Sequence, residues 1–333
     1  MGVEEVPPPR PGPGEVAVAV SHCGLCYTDV NMYRGRMPPR HAPPLTFGHE
    51  VAGRAAEVGH GVTHVAPGDR VLVSLAITCD RCAFCRGGTP ELCVRLQVLG
   101  IDRHGGLADL LVVPGENVHP IPPGLPLEHA ALLPDSVATA YHAIRRADIG
   151  PGDRVAIFGA TGGLGMMAAQ MATRLRGGRV LAVGRSPEKL ALARSQGAWQ
   201  TLSARDGDVV QQILDLTGGE GVEVAIECAG QQATAEAAVG VVRKGGRVVV
   251  VGYVAGRIPL EGPRLMRGEF SVTGSYLSRR ADMPILIDLA ARGILDLSRH
   301  VSHRVALEGV MEGLAILEER RGEPVRVLVE VAP

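Results

Sequence analysis

Arg154-Val155-Ala156-Ile157-Phe158-Gly159-Ala160-Thr161-Gly162-Gly163-Leu164-Gly165 is the stretch that decides the fold. Its short apolar run predicts a buried strand, and the glycines after it predict a tight turn that opens a helix at about Leu164. In that context glycines let an anionic group approach a helix N-terminus, whose free N–H groups and dipole favour a pyrophosphate. Gly159, Gly162, Gly163, Leu164 and Gly165 are therefore the expected dinucleotide-binding turn.

Outward from the turn, strand and helix alternate. Val180 to Val183, Val222 to Glu227, Val248 to Val251 and Ser271 to Gly274 predict strands, with helices over Glu188 to Ser195 and Ala233 to Val242. Such alternation argues for a doubly wound parallel sheet. From Glu15 to about Thr139 the text differs: short extended runs (Val16 to Val20, Val71 to Leu75, Leu110 to Val113) separated by Gly and Pro turns predict mostly β structure. Two helical stretches, Ala281 to Ala291 and Leu307 to Glu319, then lead to a last strand, Val325 to Val331, expected to return to the first lobe. The expected division is 1–137 completed by 276–333, with the dinucleotide-binding domain at 138–275.

Composition narrows the classes. The 333 residues carry 34 basic and 35 acidic side chains, a net charge of -1, so no field exists to hold nucleic acid or an anionic membrane. No apolar run approaches the ~18 residues that cross a bilayer, and the opening MGVEEVPPPRPGPG lacks a basic and an apolar region, so a cytoplasmic protein is expected. Only Lys189 and Lys244 are lysines, which suits a GC-rich or heat-adapted source.

Of seven cysteines, six precede residue 94. An odd number in tight clusters, with no secretion signal, reads as metal ligands rather than disulfides. Cys79, Cys82, Cys85 and Cys93, spaced C-x2-C-x2-C-x7-C, allow one loop to wrap four thiolates around Zn2+. Four thiolates fill the coordination sphere, so this zinc is expected to be structural; an iron–sulfur cluster and unligated thiols are the weaker alternatives. Cys228 is expected to be a small core residue.

Two further signals are weak alone: Cys23-Gly-Leu-Cys26-Tyr-Thr28-Asp29 after a strand, and Gly48-His49-Glu50 opening another. With the cysteine lobe and the βα half, they make the sequence resemble the zinc-dependent medium-chain alcohol dehydrogenase family over essentially its whole length. The resemblance implies an α/β protein with a Rossmann domain and a mostly β GroES-like catalytic domain bearing the structural zinc lobe. It implies a second, catalytic zinc held by Cys26, His49 and Asp135, the last standing where many members carry Cys. Asp29 would orient His49, Glu50 would lie behind the metal or ligate it transiently, Thr28 would bond the substrate hydroxyl, and Cys23 would be structural. Two departures stand out. Asn31 replaces a relay histidine, leaving water, His22 or His41 to carry the proton, and the first strand is expected to be shortened or missing.

The implied reaction is hydride transfer between an alcohol, or the aldehyde or ketone in reverse, and a nicotinamide cofactor. Alternatives are a polyol or cinnamyl-type dehydrogenase, a zinc-free quinone or enoyl reductase, or a binding protein on a borrowed fold. With 3% aromatic residues and no Trp or Phe in Val73 to Thr78, a roomy aliphatic pocket is expected. NADP(H) is expected over NAD(H): the second strand of the cofactor domain ends at Gly184, where NAD enzymes usually carry an acid, followed by Arg185, Ser186 and Lys189. Val251 and Arg326 complete the expected cofactor contacts. A homodimer or homotetramer is expected, with Ser271 to Gly274 at a sheet edge.

Overall fold

A computed structural model describes residues 2–38, 40–258 and 260–331. The chain divides into two compact units, 1–138 with 277–333, and 139–276.

The first unit is built on β1 (Glu15–Leu25), β2 (Glu50–Val58), β3 (Arg70–Val73), β4 (Ala76–Ile77), β5 (Gln97–Val98), β6 (Leu110–Pro114) and β7 (Val118–Pro120). Val16, Val18 and Val20 alternate toward the core, where they meet Val71, Val73 and Val113; this period of two makes β1 the centre of the sheet. β1 pairs antiparallel with both β2 and β6. β4 and β5 form a separate antiparallel ribbon that closes the loop between them.

In the second unit β8 (Arg154–Phe158), β9 (Arg179–Gly184), β10 (Gln200–Ser203), β11 (Val222–Glu227), β12 (Val242–Val250) and β13 (Ser271–Gly274) form one parallel sheet, ordered β10-β9-β8-β11-β12-β13. Helices 163–174, 187–195, 209–216, 232–241 and 262–268 alternate with the strands, the doubly wound arrangement expected of a near-continuous apolar strand text. The order reverses between β8 and β11, which puts the switch point beside the glycine turn. β13 lies at one edge.

The chain then returns to the first sheet through β14 (Val301–Ala306) and β15 (Arg326–Glu330), β15 pairing with β1. The helix Tyr27–Tyr33 directly after β1, the strands β10 and β14, and the helices Val209–Leu216 and Gly262–Gly268 are additions to the elements expected from sequence. β1, the strand expected at Val16 to Val20, runs for 11 residues, and residues 2–14 before it hold no strand.

Candidate functional site

β1 ends one residue before Cys26, which begins the helix Tyr27–Tyr33. The Asp29 carboxylate folds back to accept the Cys26 N–H at 2.9 Å, tying the turn and turning Asp29 inward, where it is fully buried. Across the sheet, Gly24 stands opposite Glu50. A Cβ on Gly24 would collide with the Glu50 carboxylate, so the missing side chain is what lets that group lie in the sheet. Gly48 has φ +93°, and a Cβ there would sit 2.6 Å from Cys23 Sγ. The left-handed turn at Gly48 delivers His49 and Glu50 to the same place. Asp135 comes from a π-helical turn, Leu133–Val137, closed by the Val137 N–H to the Leu132 carbonyl. Such turns insert one residue into a helical path and often re-aim a functional side chain.

These segments bring Cys26, His49, Glu50 and Asp135 together, with one ligand atom from each lying within 4.8 Å of the others. His49 Nδ1 lies 3.6 Å from Asp29 and Nε2 3.7 Å from Asp135. Thr28 Oγ1 is 3.6 Å from Cys26 Sγ. Behind the cluster, Arg326 on β15 is buried, pairs with Glu50 at 3.1 Å and donates to the Leu25 carbonyl. Its guanidinium is thus engaged by Glu50 and the Leu25 carbonyl through Nη1. Cys23 packs in the β core, outside the cluster. His22, opposite Glu330, and the exposed His41 are not among the converging groups.

The electrostatics are those of an anionic pocket short of positive charge. Burial pushes Glu50 well above the ordinary carboxylate range, with Arg326 opposing and Asp135 reinforcing the rise. Burial also raises Asp29, against the pull of His49. For His49 burial works against protonation, but Asp29 and Asp135 on its two sides outweigh it and hold the imidazole well above its usual value. Asp135 is held low despite burial, by its contact with His49. Asp29 Oδ1 and His49 Nδ1 face each other at 3.6 Å without a hydrogen bond, Glu50 Oε1 has its ion pair with Arg326, and Glu50 Oε2 is buried with no hydrogen-bond partner. A thiol, an imidazole nitrogen and carboxylate oxygens converging in a buried pocket are the soft-to-hard donor set that Zn2+ takes, so the residues fit the metal.

The second cluster is local. Ligand atoms of Cys79, Cys82, Cys85 and Cys93 lie within 4.8 Å of one another, on the loop closed by β4 and β5. Tetrahedral Zn–S bonds of about 2.3 Å require sulfur separations of about 3.8 Å, which this cluster fits. Cys93 Sγ accepts the N–H groups of Cys79 and Arg95, both at 3.3 Å. Two arginines from the returning chain hold the lobe: Arg279 donates to both oxygens of buried Glu91, at 3.1 and 2.9 Å, and Arg280 to Asp80 at 3.0 Å. Sequence reading missed both.

In the second unit Gly159 has φ +82°, and Gly165 packs so closely on it that a Cβ would lie 2.2 Å from the Gly159 carbonyl. Gly162 starts the helix Gly163–Arg174 without a side-chain cap, and a Cβ there would meet nothing closer than 3.6 Å. The turn is thus a cradle of free N–H groups with open space before it, which fits a pyrophosphate. Leu164 is half-buried in the first turn. β9 ends at Gly184, and Arg185 beside it is exposed. Ser186 is a helix cap, its hydroxyl oxygen accepting the Lys189 N–H at 3.4 Å. Val251 donates to the Glu227 carbonyl. Cys228, expected in the core, is half-buried just past β11.

Residues 12–123 match the alcohol dehydrogenase GroES-like domain family and residues 163–292 the zinc-binding dehydrogenase family. An alcohol dehydrogenase of Geobacillus stearothermophilus is 36% identical over 88% of this chain and 86% of its own. A sorbitol dehydrogenase of Halalkalibacterium halodurans is 30% identical over 99% and 95%. The solved alcohol dehydrogenase of Aeropyrum pernix superposes with a TM-score of 0.90 at 32% identity, covering 98% of this chain and 96% of that one. Fold and site together define an oxidoreductase built from a GroES-like unit and a Rossmann unit. The chain belongs to the zinc-dependent medium-chain alcohol dehydrogenase family.

Proposed function

We propose that the chain is a cytoplasmic NADP(H)-preferring alcohol dehydrogenase with two zinc ions, one catalytic and one structural, and that it acts on aliphatic alcohols including polyols. The observation that carries this is the convergence of Cys26, His49, Glu50 and Asp135, with one ligand atom from each within 4.8 Å of the others.

Cys26 Sγ, His49 Nε2 and the Asp135 carboxylate are the proposed ligands of the catalytic zinc, leaving a fourth position open. When bound, the zinc supplies Lewis acidity toward the substrate oxygen, and the nicotinamide supplies the hydride acceptor. Asp29 faces His49 Nδ1 and so fixes the tautomer that presents Nε2 as a lone pair. Glu50, held by Arg326, stands behind the ligands. Thr28 takes the substrate hydroxyl proton in a hydrogen bond, and because Asn31 cannot accept a proton at neutral pH, that proton leaves through water. Cys79, Cys82, Cys85 and Cys93 hold the structural zinc.

Gly159, Gly162, Gly163 and Gly165 bind the pyrophosphate. Gly184 leaves the ribose end without the usual carboxylate, and exposed Arg185 meets a 2′-phosphate, assisted by Lys189. A charge-assisted bond of this kind contributes roughly 1.5–3 kcal/mol, or about 10- to 150-fold. Arg185→Ala should therefore weaken NADP(H) and leave NAD(H) unaffected. An acid at position 184 is a poor probe, because its Cβ would lie 2.2 Å from Thr161 Cγ2. The edge strand β13 is the proposed seam of a homodimer or homotetramer, since exposed edges tend to be paired or covered.

The test is metal analysis of protein never exposed to chelator, followed by kcat/KM for primary, secondary, cyclic, aryl and polyol substrates with both cofactors. Two zinc ions per chain and higher kcat/KM with NADP are expected. No turnover of any alcohol by protein carrying both ions would overturn the reading.

A further inference from the structure

At the end of β11, Glu227 is fully buried, and among the described residues its carboxylate has no ion pair: Oε1 accepts from Ala229 N (2.8 Å), Gly230 N (2.9 Å) and Thr234 Oγ1 (2.7 Å). Oε2 takes a longer contact from Gly230 N at 3.2 Å. Desolvating a carboxylate is expensive, and three donors on one oxygen are the compensation. They also bend residues 228–231 into the loop that leads to the helix Gln232–Val241.

The same residue holds a second loop. Its backbone carbonyl accepts from both Val251 N (2.9 Å) and Gly252 N (3.0 Å), just beyond β12. The two loops then touch with no room for a side chain: a Cβ on Gly252 would lie 2.3 Å from Gly230 N and 2.6 Å from Glu227 Oε2. On the other flank, a Cβ on Gly159 would lie 2.9 Å from Ala229 N, so the loop after β11 abuts the glycine turn. Glu227 is thus the common anchor of the loops at the carboxyl ends of the fourth and fifth parallel strands. In a doubly wound sheet those loops carry the half of the dinucleotide beyond the pyrophosphate, whereas the adenosine half lies toward the end of the second strand, here β9.

We infer that Glu227 is a positioning residue for the nicotinamide end of the dinucleotide, setting the shape of loops 228–231 and 251–253 without touching the adenosine end. The inference rests on the dinucleotide reading of this unit. It separates Glu227 from a general structural role, because a general loss of fold would weaken both ends of the ligand together.

Direct titration of the purified protein tests it, with NADPH fluorescence as one arm and calorimetry with 2′,5′-ADP and 5′-AMP, which reach only the adenosine end, as the other. For Glu227→Ala the Kd for NADPH should rise on the order of tenfold or more, while the adenosine fragments bind within about twofold of wild type. Glu227→Gln keeps one oxygen for the three donors but turns an NH2 toward Gly230 N–H, so its Kd for NADPH should fall between the two. Should the alanine variant fail to fold, the glutamine variant carries the same comparison. Unchanged NADPH affinity, or equal weakening of NADPH and the fragments, overturns the inference. Wild-type protein that binds neither NADPH nor NADH overturns the dinucleotide reading itself, and Glu227's role with it.

Discussion

The two candidate metal clusters solve opposite problems. The lobe draws four identical donors from 15 residues, Cys79 to Cys93, three of them only half-buried. The other cluster draws a thiol, an imidazole and two carboxylates from positions 26, 49, 50 and 135, and surrounds them with buried Asp29 and Arg326. Four soft ligands close a coordination sphere and leave nothing for chemistry. A mixed set of three with a charged surround leaves a position open and lets the protein tune what enters it. The difference teaches that a closed site needs only local spacing, whereas an open one needs the fold to deliver each donor and also the groups that hold it.

The largest expected effect breaks the two apart. Cys26→Ala or His49→Ala should lower kcat roughly a thousandfold, the equivalent of several kcal/mol of lost Lewis-acid stabilisation, with one zinc per chain retained and dinucleotide Kd unchanged. Cys85→Ser should instead lower the melting temperature and the lobe's metal content. Zinc analysis, cofactor titration and thermal melts on the three variants check the contrast. If His49→Ala lost dinucleotide binding as fully as turnover, the cluster would be structural and the distinction would collapse.

How far each region was legible in the sequence follows from the same contrast. C-x2-C-x2-C-x7-C needs no tertiary information, and the glycine turn needs only a strand before it and a helix after it. Cys26 and His49 stood out because resemblance to a family linked two signals that are weak alone. What held them did not stand out. Gly24 matters only through its register opposite Glu50, and Arg326 reaches Glu50 from β15 across 276 positions of sequence. The lobe's anchors, Arg279 and Arg280, are likewise invisible until the returning chain is seen beside it. Among the elements, β10 and β14 were missed because they are sheet-edge strands, Gln-Thr-Leu-Ser and Val-Ser-His-Arg-Val-Ala, in which polar residues make up half or more of the text and apolar ones do not alternate.

A smaller effect sharpens the comparison from the lobe's side. Glu91 is 3% exposed and its carboxylate is held on both oxygens by Arg279. Arg279→Ala removes the guanidinium from that buried charge, which costs about 3 kcal/mol. Its consequence should be regional: the lobe's zinc should pass to a chromogenic chelator about a hundredfold faster, while the zinc of the buried cluster leaves at the wild-type rate. Two release phases, only one of which responds, is the expected record. A uniform acceleration of both would mean that Arg279 stabilises the whole unit and has no special hold on the lobe.

The smallest effect concerns the thiols once metal has been stripped. Backbone N–H groups of Cys85 and Val94 draw Cys82 down to about 6, whereas burial and then the neighbouring sulfurs push Cys85 up to about 12. In the other region burial, with Asp29 and Glu50 nearby, raises Cys23 well above the ordinary thiol value. Since the thiolate is the nucleophile, alkylation should follow this order. At pH 6 about half of Cys82 is thiolate, against roughly 0.3% of an ordinary thiol; the weaker nucleophilicity of an acidic thiolate takes back about tenfold, leaving a net advantage of about tenfold. A brief iodoacetamide pulse at pH 6, read by peptide mass spectrometry, should label Cys82 first and leave Cys85 and Cys23 unmodified. Zinc-loaded protein should show no labelling in the lobe, because all four sulfurs are then ligands. Equal labelling of Cys82 and Cys85 in stripped protein would mean that the N–H contacts do not survive metal loss and that the lobe, unlike the buried cluster, has no shape of its own without its ion.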